Sequence, residues 1–146
     1  MFELSDFYDY CKQNNADVIP YLGCPKPGAT IRDGEFYAVF LDFSQVPTTR
    51  ALRGVCYHEL GHLGSGALHK VDSPFELTER SEHRAKRWSA EHLLPREELL
   101  EALQSGYTEL WQLAEYFDLP EQDIQDAYTY WSLCKGVNFN NNQSFL

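Results

Sequence analysis

A chain of 146 residues, 43% hydrophobic and 14% aromatic, is long enough to bury one real core and too short for two ordinary domains; its 23% of charged residues suits a globular fold. A net charge of −10 argues against nucleic-acid binding, which needs a basic surface. No apolar run approaches the roughly eighteen residues of a membrane span, and the opening MFELSDFYDYCKQ lacks a basic, signal-type start, so a cytoplasmic protein is expected.

Leu4–Gln13 reads as a short helix ended by Asn14, Asn15 and Asp17. VIPYLGCPKPGA, from Val18, is an apolar strand entering a Pro/Gly-rich loop. TIRDGEFYAVFLDF, from Thr30, reads as a hairpin about the Asp33-Gly34 pair, and Phe36–Leu41, apolar on both faces, predicts a strand covered on both sides. Past Pro47, Thr48 is placed to cap a helix reaching about Leu63, with Gly64, Ser65 and Gly66 ending it. Ser73, Pro74 and Glu76 supply the N-cap, first position and capping-box acid of the next helix, which should run to Leu94, where Pro95 opens another. Helical stretches follow around Thr108–Phe117 and Pro120–Lys135, and the polar tail VNFNNNQSFL is expected to fray. Without repeats or linkers, residues 1–146 read as a single domain, with a core about 18–95 and a helical region about 95–136.

Three further patterns have bland explanations. Cys11, Cys24, Cys56 and Cys134 are scattered, with no C-x-x-C pair, and are expected as buried or free thiols. Arg80, Arg84 and Arg87 share one helical face with Glu76 a turn before Arg80, which reads as a solvated, salt-bridged surface. ELWQLAEYFDLPEQDIQDAY has a helix-turn-helix cadence, yet its second helix carries Glu121, Asp123 and Asp126. Phosphates would be repelled there, so a helical cap or a partner-docking face is expected and direct nucleic-acid binding is not.

YHELGH, at Tyr57–His62, carries chemistry. At 100° per residue, His58 and His62 stand about 40° apart on one helix face and can converge on one metal ion. Glu59 falls about 60° beyond His62, near enough to take a proton from a water on that ion without ligating it. The spacing H-E-x-x-H therefore suits zinc-assisted hydrolysis. A third ligand is needed. The longer pattern H-E-x-x-H-x-x-G-x-x-H fails, because positions 65 and 68 are Ser65 and Leu68, which leaves His69 out of register. Glu82 is the favoured ligand, since the small Ala85 and Ser89 at i+3 and i+7 would let its helix approach the first; Glu79 is the fallback and Glu76 the cap. His83 is expected to point away from the ion and His92 to pack on a helix face, while His69, Tyr37, Tyr57 and Tyr107 remain open as oxyanion donors.

HELGH followed by EHRAKRWSAEHLLP (Glu82–Pro95) resembles the ImmA/IrrE family of zinc metallopeptidases. Members carry a pattern close to E-x-x-A-[ND]-x-[FW]-A-x-x-L-L-x-P after the HExxH helix, and the resemblance spans roughly residues 30 to 95. By position it gives His58, His62 and Glu82 as ligands of Zn2+ and Glu59 as the catalytic glutamate; Lys86 and Ser89 stand where the family usually has Asn or Asp and Ala. It implies an α+β, zincin-like domain, with a small N-terminal sheet packed on the HExxH helix and a mostly helical C-terminal half. It also implies a cytoplasmic protease whose partner is a protein substrate, a helix-turn-helix repressor of a prophage or mobile element. The alternative is a zinc-binding regulatory module that sequesters such a repressor without cutting it.

Overall fold

The computed structural model describes residues 1–68 and 75–139, the side chains of 75–78 apart. The expected roles of His69, Ser73, Pro74 and Glu76 lie outside the described residues. The chain folds as α+β, in the order α1 (Leu4–Gln13), β1 (Ala16–Pro20), β2 (Gly28–Asp33), β3 (Phe36–Leu41), α2 (Thr49–Ser65), α3 (Phe75–Leu93), α4 (Arg96–Gln104), α5 (Leu110–Phe117) and α6 (Glu121–Thr129). A π-helical turn, Tyr130–Cys134, continues α6. Among the described residues, no helix is long and apolar enough to cross a membrane.

The three strands lie in the order β1-β3-β2, with β1 parallel and β2 antiparallel to β3. Asp33 pairs with Phe36, so the hairpin loop is Gly34-Glu35, one residue later than the Asp33-Gly34 expectation. Gly34 has φ +62°, the positive angle that the first central residue of a type II′ turn requires and that glycine takes without strain. The strand is central in its hydrogen bonding yet covered on one side only. Val39 and Leu41 are sealed in the core, whereas Phe36 is 61% exposed and Ala38 and Phe40 are half-buried. The expectation of two covered faces fails because the buried strand residues, Ala16, Thr30, Val39 and Leu41, share one face of the sheet.

Thr48 caps α2 as expected, its Oγ1 accepting from the Ala51 amide at 3.0 Å. The helix runs two residues past Leu63 and ends at Gly66 in the left-handed conformation, φ +67°. Gly64 stays inside it because the Trp88 indole of α3 lies where a side chain would be: a Cβ there would fall 2.1 Å from Trp88 Cε2. Arg53, buried, ties α2 to two distant segments. Its guanidinium donates to the carbonyls of Phe2, Phe117 and Asp118 and pairs with Glu3 at 3.0 Å.

Hydrophobic burial joins every layer: Phe7 and Cys11 of α1, Val39 and Leu41, Leu60 of α2, and Leu99, Leu113, Phe117 and Ile124 of the later helices form one core. Cys11 and Cys56 are free thiols whose burial pushes their pKa up to about 11 and about 12. The tail is not frayed from its start. Phe139 is buried and stacks on Tyr128, ring centroids 4.6 Å apart; residues 140–146 lie outside the described part.

The contact that places the site is between α2 and α3. Ala85 and Ser89 are buried against α2 as the sequence predicts, and the reciprocal small residue is Gly61. A Cβ on Gly61 would fall 2.4 Å from both the Ala85 carbonyl oxygen and Ser89 Oγ. Ser89 Oγ donates to the Tyr57 carbonyl at 3.0 Å, closing the pair. Replacing a mid-helix glycine by alanine ordinarily stabilises by about 1 kcal/mol. Here the overlap is with backbone, and Gly61→Ala should instead destabilise by about 1–3 kcal/mol, read as a lowered urea midpoint; an unchanged or raised midpoint would show the helices less closely pressed.

Candidate metal centre

His58 and His62 project from successive turns of α2, and Glu82 comes from the second turn of α3 to meet both. His58 Nε2 lies 3.0 Å from Glu82 Oε2, His62 Nε2 lies 3.1 Å from Glu82 Oε1, and the two Nε2 atoms are 3.1 Å apart. Their ligand atoms all fall within 4.8 Å of one another. Donors about 2.0–2.2 Å from one tetrahedral ion would stand about 3.3 Å apart, so this group needs only a few tenths of an ångström to open around zinc.

The tautomer fits as well. His62 Nδ1 lies 2.7 Å from the Ala67 carbonyl, to which it donates, so that Nε2 donates to Glu82 when protonated and is the nitrogen left for a metal when the ring is neutral. Ser81 Oγ donates to the same carbonyl, so α3 braces the residue that orients the ligand. Hydrogen bonds from His58 and then His62 hold the Glu82 carboxyl far below the ordinary range, against a smaller effect of burial. Burial lowers the His62 pKa, but its bonds to Glu82 and Ala67 outweigh that and leave it raised.

Glu59 is 3% exposed and stands outside this donor set. Its Oε1 accepts from Thr30 Oγ1 at 2.9 Å, so β2 fixes the carboxylate from above α2. Gly28 permits the approach: a Cβ there would fall 2.7 Å from Val55 Cγ1 and 3.0 Å from Glu59 Cγ. His58, Glu59, His62, Glu82 and the edge strand from Gly28 to Ile31 all line one cavity of about 690 Å³.

Residues 34–126 match the family model described as the IrrE N-terminal-like domain, Peptidase_M78. The chain belongs to the IrrE N-terminal-like family. No curated protein and no solved structure matches it. Membership of this peptidase family supports a metallopeptidase-type function, and the match covers all four residues singled out in HELGH and on α3.

Within this IrrE-like domain the remaining sequence candidates separate clearly. Glu79 and His83 are exposed, and neither joins the donor group. His92 packs on its own helix, stacked on Trp88 at 4.2 Å. Tyr57 is buried with its ring edge on Phe2, Tyr37 lies under Arg32 on β3, and Tyr107 packs on Tyr116; none of the three lines the cavity. The Arg80–Arg87 face is exposed as expected, with Arg87 paired to Glu91 at 3.2 Å.

Sequence reasoning missed Thr30, the Ala67 carbonyl and Asp123, which also lines the cavity. Thr30 carries no local signal, because its role depends on which edge of the sheet meets α2. If the three donors hold a metal, Glu82→Ala should lose it on metal analysis after dialysis, while Glu79→Ala keeps it. Full metal content in Glu82→Ala would put the third donor elsewhere.

Proposed function

We propose that this chain is a zinc-dependent endopeptidase, with His58, His62 and Glu82 as metal ligands and Glu59 as the catalytic base and acid. The observation that carries the reading is the position of Glu59: buried, held by Thr30, beside the donor triad and outside it. Zinc bound there supplies a Lewis acid for a peptide carbonyl and brings the pKa of a water towards 7. A module that only sequestered its partner would have no use for a carboxylate so held. Glu59 takes a proton from the attacking water and returns it to the leaving amine, one group serving both transfers. Ala67 and Ser81 keep the His62 ring in register throughout.

The edge strand β2 supports an extended polypeptide as substrate. Among the described residues no strand pairs with its far side, and its residues line the cavity, so strand addition can present a backbone to the ligand group. A helix-turn-helix repressor of a prophage or mobile element fits this reading as the protein substrate. Such proteins carry a basic surface, and a protease of charge −10 is complementary to it, which favours encounter. Four free cysteines suit a reducing, cytoplasmic setting.

Glu59→Gln should retain zinc and lose cleavage of the repressor, by at least about a hundredfold in single-turnover assays with gel readout. Repressor released at the wild-type rate by that variant would replace proteolysis with sequestration. Thr30→Val keeps the shape of the side chain and removes the donor to Glu59; it should lower kcat about tenfold at unchanged zinc content. A wild-type kcat in Thr30→Val would mean that Glu59 is positioned by packing alone.

A further inference from the structure

The cavity holds one acid that the peptidase chemistry leaves unused. Asp123, in the first turn of α6, lines the wall formed by Gly54, His58 and Pro120. Gly54 precedes His58 by one turn on the same face of α2, about 6 Å along the helix axis. A Cβ on Gly54 would fall 2.5 Å from Pro120 Cγ and 3.0 Å from Asp123 Oδ2. Asp123 therefore reaches the cleft over a position without a side chain, about two residues of extended peptide from the donor triad.

The other charges nearby are accounted for. Glu82 meets the two histidines, Glu59 meets Thr30, and Lys86 of α3 ends on Asp126 at 3.4 Å. Lys26, on the loop before β2, also lines the cavity but makes no ion pair with Asp123. Among the described residues the Asp123 carboxylate has no hydrogen bond or ion pair, and the residue is partly buried. Burial pushes its pKa up to about 7, with Asp126 adding to the rise and His58 and Lys86 opposing it. A favourable place at the N-terminus of α6 does not explain this burial, since Glu121 occupies the same first turn and stays in water. A desolvated acid without a counter-charge costs stability unless a ligand brings one.

The geometry points to Asp123 as a specificity determinant that receives an arginine or lysine side chain of the bound polypeptide, close to the bond that is cut. The position of that bond rests on the peptidase reading above; the preference for a basic side chain does not. Lys86 contributes indirectly, by engaging Asp126 and leaving Asp123 for the ligand.

Zinc-loaded Glu59→Gln protein, which binds without cutting, separates the two. Matched fluorescent peptide libraries carrying arginine, or its neutral isostere citrulline, at each position in turn are titrated by anisotropy. One arginine position should bind about tenfold tighter than its citrulline counterpart. Adding Asp123→Asn should erase that difference while leaving citrulline affinity and zinc content alone, and Asp123→Lys should turn the preference towards glutamate peptides. Equal affinity for the two libraries, or an arginine preference that survives Asp123→Asn, overturns the proposal. If wild-type protein cuts neither library while the arginine preference holds, the subsite stands and the peptidase reading falls. Cleavage of both libraries at equal rates with equal binding does the reverse.

Discussion

The distance between α2 and α3 sets the chemistry available to this molecule. Two helices packed through ordinary side chains stand about 8–10 Å apart, and a carboxylate on one then has to stretch to reach imidazoles on the other. Gly61 against Ala85 and Ser89 removes the intervening bulk. The contacts run antiparallel, with Ser81 at Ala67, Glu82 at His62, Ala85 at Gly61 and Ser89 at Tyr57. With that register fixed, Glu82 meets two histidines one turn apart using an ordinary side-chain reach. The hydrogen bonds that join the three donors engage the same atoms that would coordinate a metal. Protons and zinc therefore compete for the same nitrogens.

What was legible in the sequence had a short range. His58, Glu59 and His62 sit within one and a half turns, so the helical period alone gives their relation, and the Thr48 cap is a local matter too. Glu82 was reachable because small residues at i+3 and i+7 report a close approach even without a known partner. The opposite pattern holds for Thr30, whose partner Glu59 is 29 positions away and is met through the edge of a sheet. The exposed face of β3 failed for a related reason: apolar alternation states what a strand prefers, and only the arrangement of layers states which face is covered. Phe36 is left in water, on the side of the sheet opposite the buried Val39 and Leu41.

The helix-turn-helix cadence near the C-terminus has a packing explanation. Leu113, Ala114, Phe117, Leu119 and Ile124 are spaced to bury one side of the α5–α6 pair in the common core. The acids of α6 that make it unsuitable for a phosphate backbone are directed elsewhere: Asp126 to Lys86 and Asp123 into the cavity. Lys86, which stands where the family usually has Asn or Asp, thus connects α3 to α6 rather than to the ligand set. Arg53 makes a separate connection, from α2 to the carbonyls at the end of α5.

The helix α2 is a poor helix on its own. Three glycines, Gly54, Gly61 and Gly64, lie within its seventeen residues, and each costs about 1 kcal/mol against alanine in a helix interior. Each also marks a close approach: Pro120 and Asp123 over the first, α3 on the second, the Trp88 ring on the third. The helix thus owes its persistence to the surfaces pressed on it, as most protein helices do. Glu82 joins His58 and His62 only when α3 is docked on α2, so the three-donor group cannot form as a local structure ahead of the fold. Zinc that binds the completed triad and not the unfolded chain must then stabilise the whole molecule, because the free energy of binding adds to that of folding.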